Sequence, residues 1–189
     1  MAIRDIRRVD GFHGTTEANA ESILENGFNP SENPYDWLGG GVYFFQDAPH
    51  AAHDYAKKYC REHGGEPAVL RSQIRLASCA DLFDTELNDI FGAIYEKYSQ
   101  VNESIPVNRG GYRPLDRTVM DYACLILKED YNARVQCVRA IFIEVDEEER
   151  LFPGSLIYRT SHVQIAVRDT TLIKHTEPWE QTKSLLGGQ

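Results

Sequence analysis

Basic residues are in short supply in this 189-residue chain: 20 Lys and Arg stand against 29 Asp and Glu, a formal net charge of −9. A broad, non-specific nucleic-acid surface needs clustered cations facing phosphates, so the deficit argues against that class while leaving room for a small local basic groove. Cysteine is scarce as well. Cys60, Cys79, Cys124 and Cys137 lie far apart with no CxxC spacing. They are read as reduced thiols in a chain large enough to fold without staples, and none has a visible partner base. No run of about eighteen apolar residues occurs, and no charged-then-apolar leader, so neither a membrane span nor a signal peptide is expected. The expectation is a cytoplasmic protein with no membrane partner. Internal repeats and low-complexity blocks are missing too. The triple glycine Gly39-Gly40-Gly41 is followed by Val42 rather than by Lys-Ser/Thr, which excludes a nucleotide-phosphate loop of the strand–glycine–helix kind.

What is present is a core-sized apolar fraction, 42% of the residues. That suits one domain, placed at residues 1–175, able to bury roughly 70% of its unfolded surface. A polar, flexible tail is expected over 176–189. Val69 to Leu76 alternates with a two-residue period and predicts a strand; Val135 to Val145 is rich in branched residues and predicts a central strand. His162 to Val167 alternates likewise, and Ser155 to Tyr158 is a candidate short strand. Helical spacing predicts Ala48–His63, Thr85–Tyr98 and Asp116–Lys128 as helices, the last capped by Asp116. Between the last two lies a long Pro/Gly-containing loop, Val101 to Leu115, in which Arg109, Tyr112 and Arg113 are candidates for contacting an acceptor substrate or are ordinary exposed residues. His50, His53, Cys60 and His63 bring metal ligands to mind. At about 100° per residue Cys60 falls about 80° around the helix from His50, and no metal site is assigned.

The densest stretch runs from Gly11 to Tyr55. An apolar run ends in His13-Gly14-Thr15. Thr16 then caps a helix, Glu17 to Asn26, whose apolar residues Ala20, Ile23 and Leu24 share a face and which closes at Gly27. Asn29 to Gly41 has two prolines and three consecutive glycines, the composition of a loop that lets backbone approach a ligand. Val42 to Phe45 predicts a short strand. Its Tyr43 stands beside the end of the first strand if the two pair, which would put an imidazole and a phenol in one cleft.

His13-Gly14-Thr15, a helix of the form AxxIxxxG, Gly41-Val42-Tyr43-Phe44 and a helix carrying Ala52 and Tyr55 together resemble the site of the ADP-ribosyltransferase superfamily, in its poly(ADP-ribose)-polymerase-like branch. The resemblance implies an α+β fold, a split β-sheet with flanking helices. It also implies NAD as co-substrate and transfer of ADP-ribose to a macromolecular acceptor, protein or nucleic acid, with loss of nicotinamide. It assigns His13, Tyr43 and, at the position of the family's late-strand glutamate, Gln164 as catalytic. Gly14 would pair its backbone with the nicotinamide amide. Tyr43 and Tyr55 would enclose the ring, and His13 would bond the adenosine-side ribose. Thr15, Tyr35, Gly41, Phe44 and Ala52 complete the implied NAD-binding set, with Asn29 to Trp37 as a cover.

Gln164 departs from the family pattern. An amide still bonds a ribose hydroxyl but adds no negative charge beside a developing cation and accepts no proton from an acceptor. The expectation is therefore a mono-ADP-ribosyltransferase, in the line of a bacterial toxin or defence effector, with an inhibitory partner protein if it is a toxin. Glu144 on the neighbouring strand is the alternative carboxylate. Two rival readings remain: an inactive relative that holds NAD or ADP-ribose, and an NAD-dependent RNA 2′-phosphotransferase, which would need paired basic residues around the cleft.

Overall fold

The computed structural model describes residues 8–143 and 147–180. Branched and aromatic runs become strands and the 3.6-periodic segments become helices, in the order β1 (Arg8–Thr16), α1 (Glu17–Asn26), β2 (Val42–Gln46), α2 (Pro49–His63), β3 (Pro67–Arg75), β4 (Cys79–Asp81), α3 (Thr85–Val101), α4 (Pro114–Tyr131), β5 (Cys137–Phe142), β6 (His162–Val167) and β7 (Ile173–Pro178). The strands form one sheet in the order β4-β5-β6-β2-β1-β3-β7. Its neighbours are antiparallel except for the parallel pair β4–β5. The architecture is α+β and is consistent with an ADP-ribosyltransferase-like domain.

Side-chain alternation sends each strand's residues to two different cores. Ala80, Val138, Ala140 and Ala166 meet Leu87, Phe91, Ile94, Ala123 and Leu127 of α3 and α4 on one face. Phe44, Ile74, Cys79, Cys137, Ile165 and Val167 pack on the other. A third cluster, Phe12, Phe45, Ala52 and Val69, sits under α2. Phe44 and Ile165 are wholly inaccessible to solvent, each burial stabilising the fold by about 1.5–3 kcal/mol.

One junction of the sheet is incomplete. β1 pairs with β3 along its whole length, Arg8 to Thr16, yet with β2 only at Gly11↔Gln46 and Phe12↔Phe45. Past Phe12 the ladder stops, and the two halves of the sheet part. This is the physical form of the split sheet.

Local signals account for most boundaries. Thr16 accepts from the Asn19 amide at 3.2 Å, and Gly27 and Gly64 close α1 and α2 with φ of 83° and 85°. Elsewhere the structure departs from the sequence-based expectation. Asp116 is not the cap of α4: the helix starts at Pro114, and Asn108 Oδ1 accepts from the Leu115 and Asp116 amides at 3.0 and 3.3 Å. Ser155–Tyr158 contributes only an isolated bridge, Arg150↔Tyr158. Residues 176–178, expected in a tail, complete the edge strand β7. There Thr176 Oγ1 lies 2.9 Å from the fully buried Ser72 Oγ. Residues 181–189, and Glu144 with its two successors, lie outside the described residues. No helix among the described residues is long and apolar enough to cross a membrane.

Candidate active site

The gap between β1 and β2 is lined by His13 and Gly14 of the implied set. Asp47 donates its amide to the Asp10 carbonyl at 2.9 Å. That sets the parity of β1: even-numbered residues turn their peptide groups toward β2. Gly14 is even, so its N–H and C=O face the open gap two residues beyond the last rung. A donor and an acceptor side by side on one strand edge match the N–H and C=O of a primary carboxamide. Gly14 also has to be glycine, because a Cβ there would lie 2.1 Å from the Ala52 carbonyl oxygen of α2.

His13 fills the gap that the missing ladder leaves. Its Nδ1 lies 2.9 Å from the Tyr43 carbonyl oxygen. A carbonyl only accepts, so Nδ1 carries the proton and Nε2 is left with a lone pair for a ligand hydroxyl. The ring lies against Phe28 and Phe44, centroids 5.3 and 5.8 Å away. Burial lowers its pKa below the ordinary imidazole value, the Tyr43 carbonyl opposing this in part. The imidazole is therefore neutral at pH 7.

Tyr43 meets His13 through its backbone, while its side chain points to the opposite face and joins the α3–α4 core. The phenol donates to the Gly39 carbonyl at 2.9 Å and accepts from the Leu38 amide at 2.8 Å. Burial, with Asp36 nearby, pushes its pKa far up. Tyr43 thus holds the end of the glycine loop rather than offering a free hydroxyl. Imidazole and phenol lie on opposite faces of β2, joined through the Tyr43 carbonyl.

Beyond β2, on β6, lies a second cluster, of which only Gln164 carries a sequence signal. Gln164 stands on β6 opposite Phe45, and Trp37 Nε1 donates to its Oε1 at 2.7 Å. Gln164 Nε2 lies 2.8 Å from His162 Nε2. Phe45, Phe142 and His162 stack beside it, with His162 4.7 Å from Phe45 and 5.0 Å from Phe142. Tyr55 leans on Phe45 at 5.9 Å and is half exposed. Burial raises the Tyr55 pKa above the ordinary phenol value, with Tyr59 adding to it.

The rest of the implied set divides by burial. Tyr35 is exposed on the loop. Gly41 exchanges backbone bonds with Ser31 at 2.8 and 3.0 Å and so closes the loop's base. Phe44 and Ala52 are fully buried and Thr15 nearly so. Phe44 and Ala52 have no surface to offer a ligand and support the site from within the core, whereas Thr15 keeps a small exposed surface.

The cover loop is less free than its composition suggests. Gly40 donates its amide to Asp121 Oδ1 at 3.1 Å, Arg168 Nη1 donates to the same oxygen at 2.7 Å, and Arg117 Nε lies 3.4 Å from Asp121 Oδ2. Asp36 accepts from the Asn33 amide at 2.7 Å and has Arg117 3.9 Å away. Burial nonetheless raises the Asp36 pKa. Leu38, with no exposure, completes the anchor. Asp121, Arg168 and His162 carry no sequence motif, and Trp37 appears in the sequence only as the end of the cover stretch; long-range packing brings them together. Arg109 and Tyr112 form a small bridge at the other end of the loop before α4. Among the described residues no group of three or more His, Cys, Asp or Glu is placed to hold a metal ion.

Residues 6–121, more than half of the chain, match the family described as the poly(ADP-ribose) polymerase catalytic domain. Gln164 and its strand lie beyond the matched segment. Over 194 residues the chain is 24% identical to an uncharacterized protein of Methanocaldococcus jannaschii, covering 94% of this chain and 90% of that one.

Proposed function

Since the chain belongs to the poly(ADP-ribose) polymerase catalytic domain family, we propose that it is a mono-ADP-ribosyltransferase that binds NAD in the gap between β1 and β2. The acceptor is a macromolecule, protein or nucleic acid. The observation that carries the reading is the interrupted ladder: Gly14's peptide N–H and C=O are turned into the gap beside the neutral His13 imidazole. Bound NAD supplies a leaving group, nicotinamide, and an electrophilic ribose carbon.

The chain's own residues do the placing. Gly14 pairs with the carboxamide, His13 Nε2 accepts from a ribose hydroxyl, and Tyr55 with Phe45 forms an apolar wall that keeps water from the reacting carbon. Gln164 accepts a ribose hydroxyl without adding charge, which supports single transfer rather than chain growth. Incubating the chain with labelled NAD and a cell lysate is expected to label a macromolecule and release nicotinamide. His13→Ala should abolish both, and undiminished labelling by that variant would refute the site.

A second reading has its own observation. The uncharged Gln164 is capped by Trp37, which suits a relative that holds NAD or ADP-ribose without transferring it. Calorimetric binding of NAD with no nicotinamide released would select this reading.

A further inference from the structure

The hydrogen bonds along β6 fix the orientation of the Gln164 amide as well as its position. His162 Nδ1 lies 2.5 Å from the Thr160 carbonyl oxygen. That oxygen only accepts, so Nδ1 is protonated and Nε2 of the neutral ring is an acceptor. Gln164 Nε2, 2.8 Å away, must then be the donor. At the other end Trp37 Nε1, a group that only donates, lies 2.7 Å from Gln164 Oε1. Two partners of opposite polarity thus agree on one orientation for a side chain whose two ends are nearly the same size.

We propose that His162 is a positioning residue that keeps the Gln164 carbonyl oxygen turned into the cleft, ready to accept a ribose hydroxyl once Trp37 gives way. The ribose in this statement rests on the NAD reading above; the orientation does not. A ribose hydroxyl can donate to the carbonyl oxygen, but not usefully to the amide nitrogen. Protonation of His162 places N–H groups at both ring nitrogens. The amide then turns its oxygen toward His162 and its NH₂ into the cleft, and Trp37 loses its acceptor.

The groups facing His162 are Phe45 of β2, Phe142 of β5, Gln164 on its own strand and Thr160 in the turn just before it, with Tyr55 of α2 beyond Phe45. Burial among them holds the His162 pKa below its ordinary 6.5, the Thr160 carbonyl opposing in part. The cleft is therefore set for ribose at neutral pH and upset on the acid side.

The test uses the full chain without NAD. Nitrogen-15 spectra should give the Nδ1–H tautomer for His162 at pH 7.5. On lowering the pH, the Trp37 indole resonance should move with the same midpoint as His162. An Nε2–H tautomer, or a Trp37 signal indifferent to the His162 titration, overturns the proposal. Failure of NAD to bind would sink the site reading and leave this result untouched. In turnover, His162→Phe keeps the ring packing but removes Nε2. It should raise KM for NAD about 2- to 12-fold, the equivalent of one neutral hydrogen bond, and remove the His162 step from the acid limb of the pH profile. An unchanged KM and pH profile would equally overturn it.

Discussion

Gly14→Ala is the substitution whose consequence the backbone sets most directly. The added Cβ would lie 2.1 Å from the Ala52 carbonyl oxygen, 3.1 Å from the Ala52 carbonyl carbon and 3.2 Å from the Ala56 nitrogen. These are backbone atoms of α2, so no side-chain rotation relieves the overlap. Ordinary contact begins near 3.4 Å, so α2 must retreat by roughly 1.3 Å, the difference between 3.4 and 2.1 Å. Overpacking of this kind costs about 1–3 kcal/mol, and the overlap with rigid backbone puts the expectation at the upper end. For a domain of this size about 3 kcal/mol lowers Tm by roughly 6–12 °C. The retreat also carries Tyr55 away from Phe45 while leaving Gly14's own N–H and C=O in place. NAD affinity should therefore fall through a shifted wall rather than a lost hydrogen bond. Scanning calorimetry with NAD titration reads both effects. A variant with the wild-type Tm would refute the close packing of α2 on β1, and with it the reason given for glycine at this position.

Three further outcomes can be measured. Trp37→Phe removes the donor that caps Gln164; if the indole competes with a ligand for that oxygen, NAD should bind about 2- to 12-fold tighter, the worth of one neutral hydrogen bond, and weaker binding in calorimetry would contradict this. Deleting residues 176–189 leaves the buried Ser72 hydroxyl without Thr176. It should cost about 1–3 kcal/mol and lower Tm by roughly 2–12 °C; an unchanged Tm would restore the tail reading of 176–178. His13 and His162 have folded pKa values below 6.5, so under acid the unfolded chain binds more protons than the native one. Stability should rise with pH through the window below 6.5 and be lost as the pH falls through it. The paired variant His13→Gln/His162→Phe should flatten that slope, and an undiminished slope in urea titrations would assign it to other groups.

The near half of the site was legible because its signals are local. His13-Gly14-Thr15, the Thr16 cap, Gly27 and Gly41-Val42-Tyr43-Phe44 lie within one stretch, and each has a short-range physical reason. The strand His162–Val167 was legible from its alternation, which placed Gln164 on a face but could not say what met it there. Trp37 and Gln164 are 127 positions apart, and no periodicity within either segment encodes that pairing. Phe44 misled because it follows Tyr43 directly: consecutive strand residues face opposite ways, so one holds the loop while the other enters the core. β7 was missed because Ile173–Pro178 (IKHTEP) lacks apolar alternation. As an edge strand it is held by backbone pairing with β3 and by the Ser72–Thr176 bond.

The open rung of β1 is the place where NAD should sit. A crystal structure of the chain with NAD tests it most directly. The nicotinamide carboxamide should sit on the N–H and C=O of Gly14, with His13 Nε2 within hydrogen-bond distance of a ribose hydroxyl. NAD seated elsewhere, with β1 and β2 laddered shut past Phe12, would contradict it.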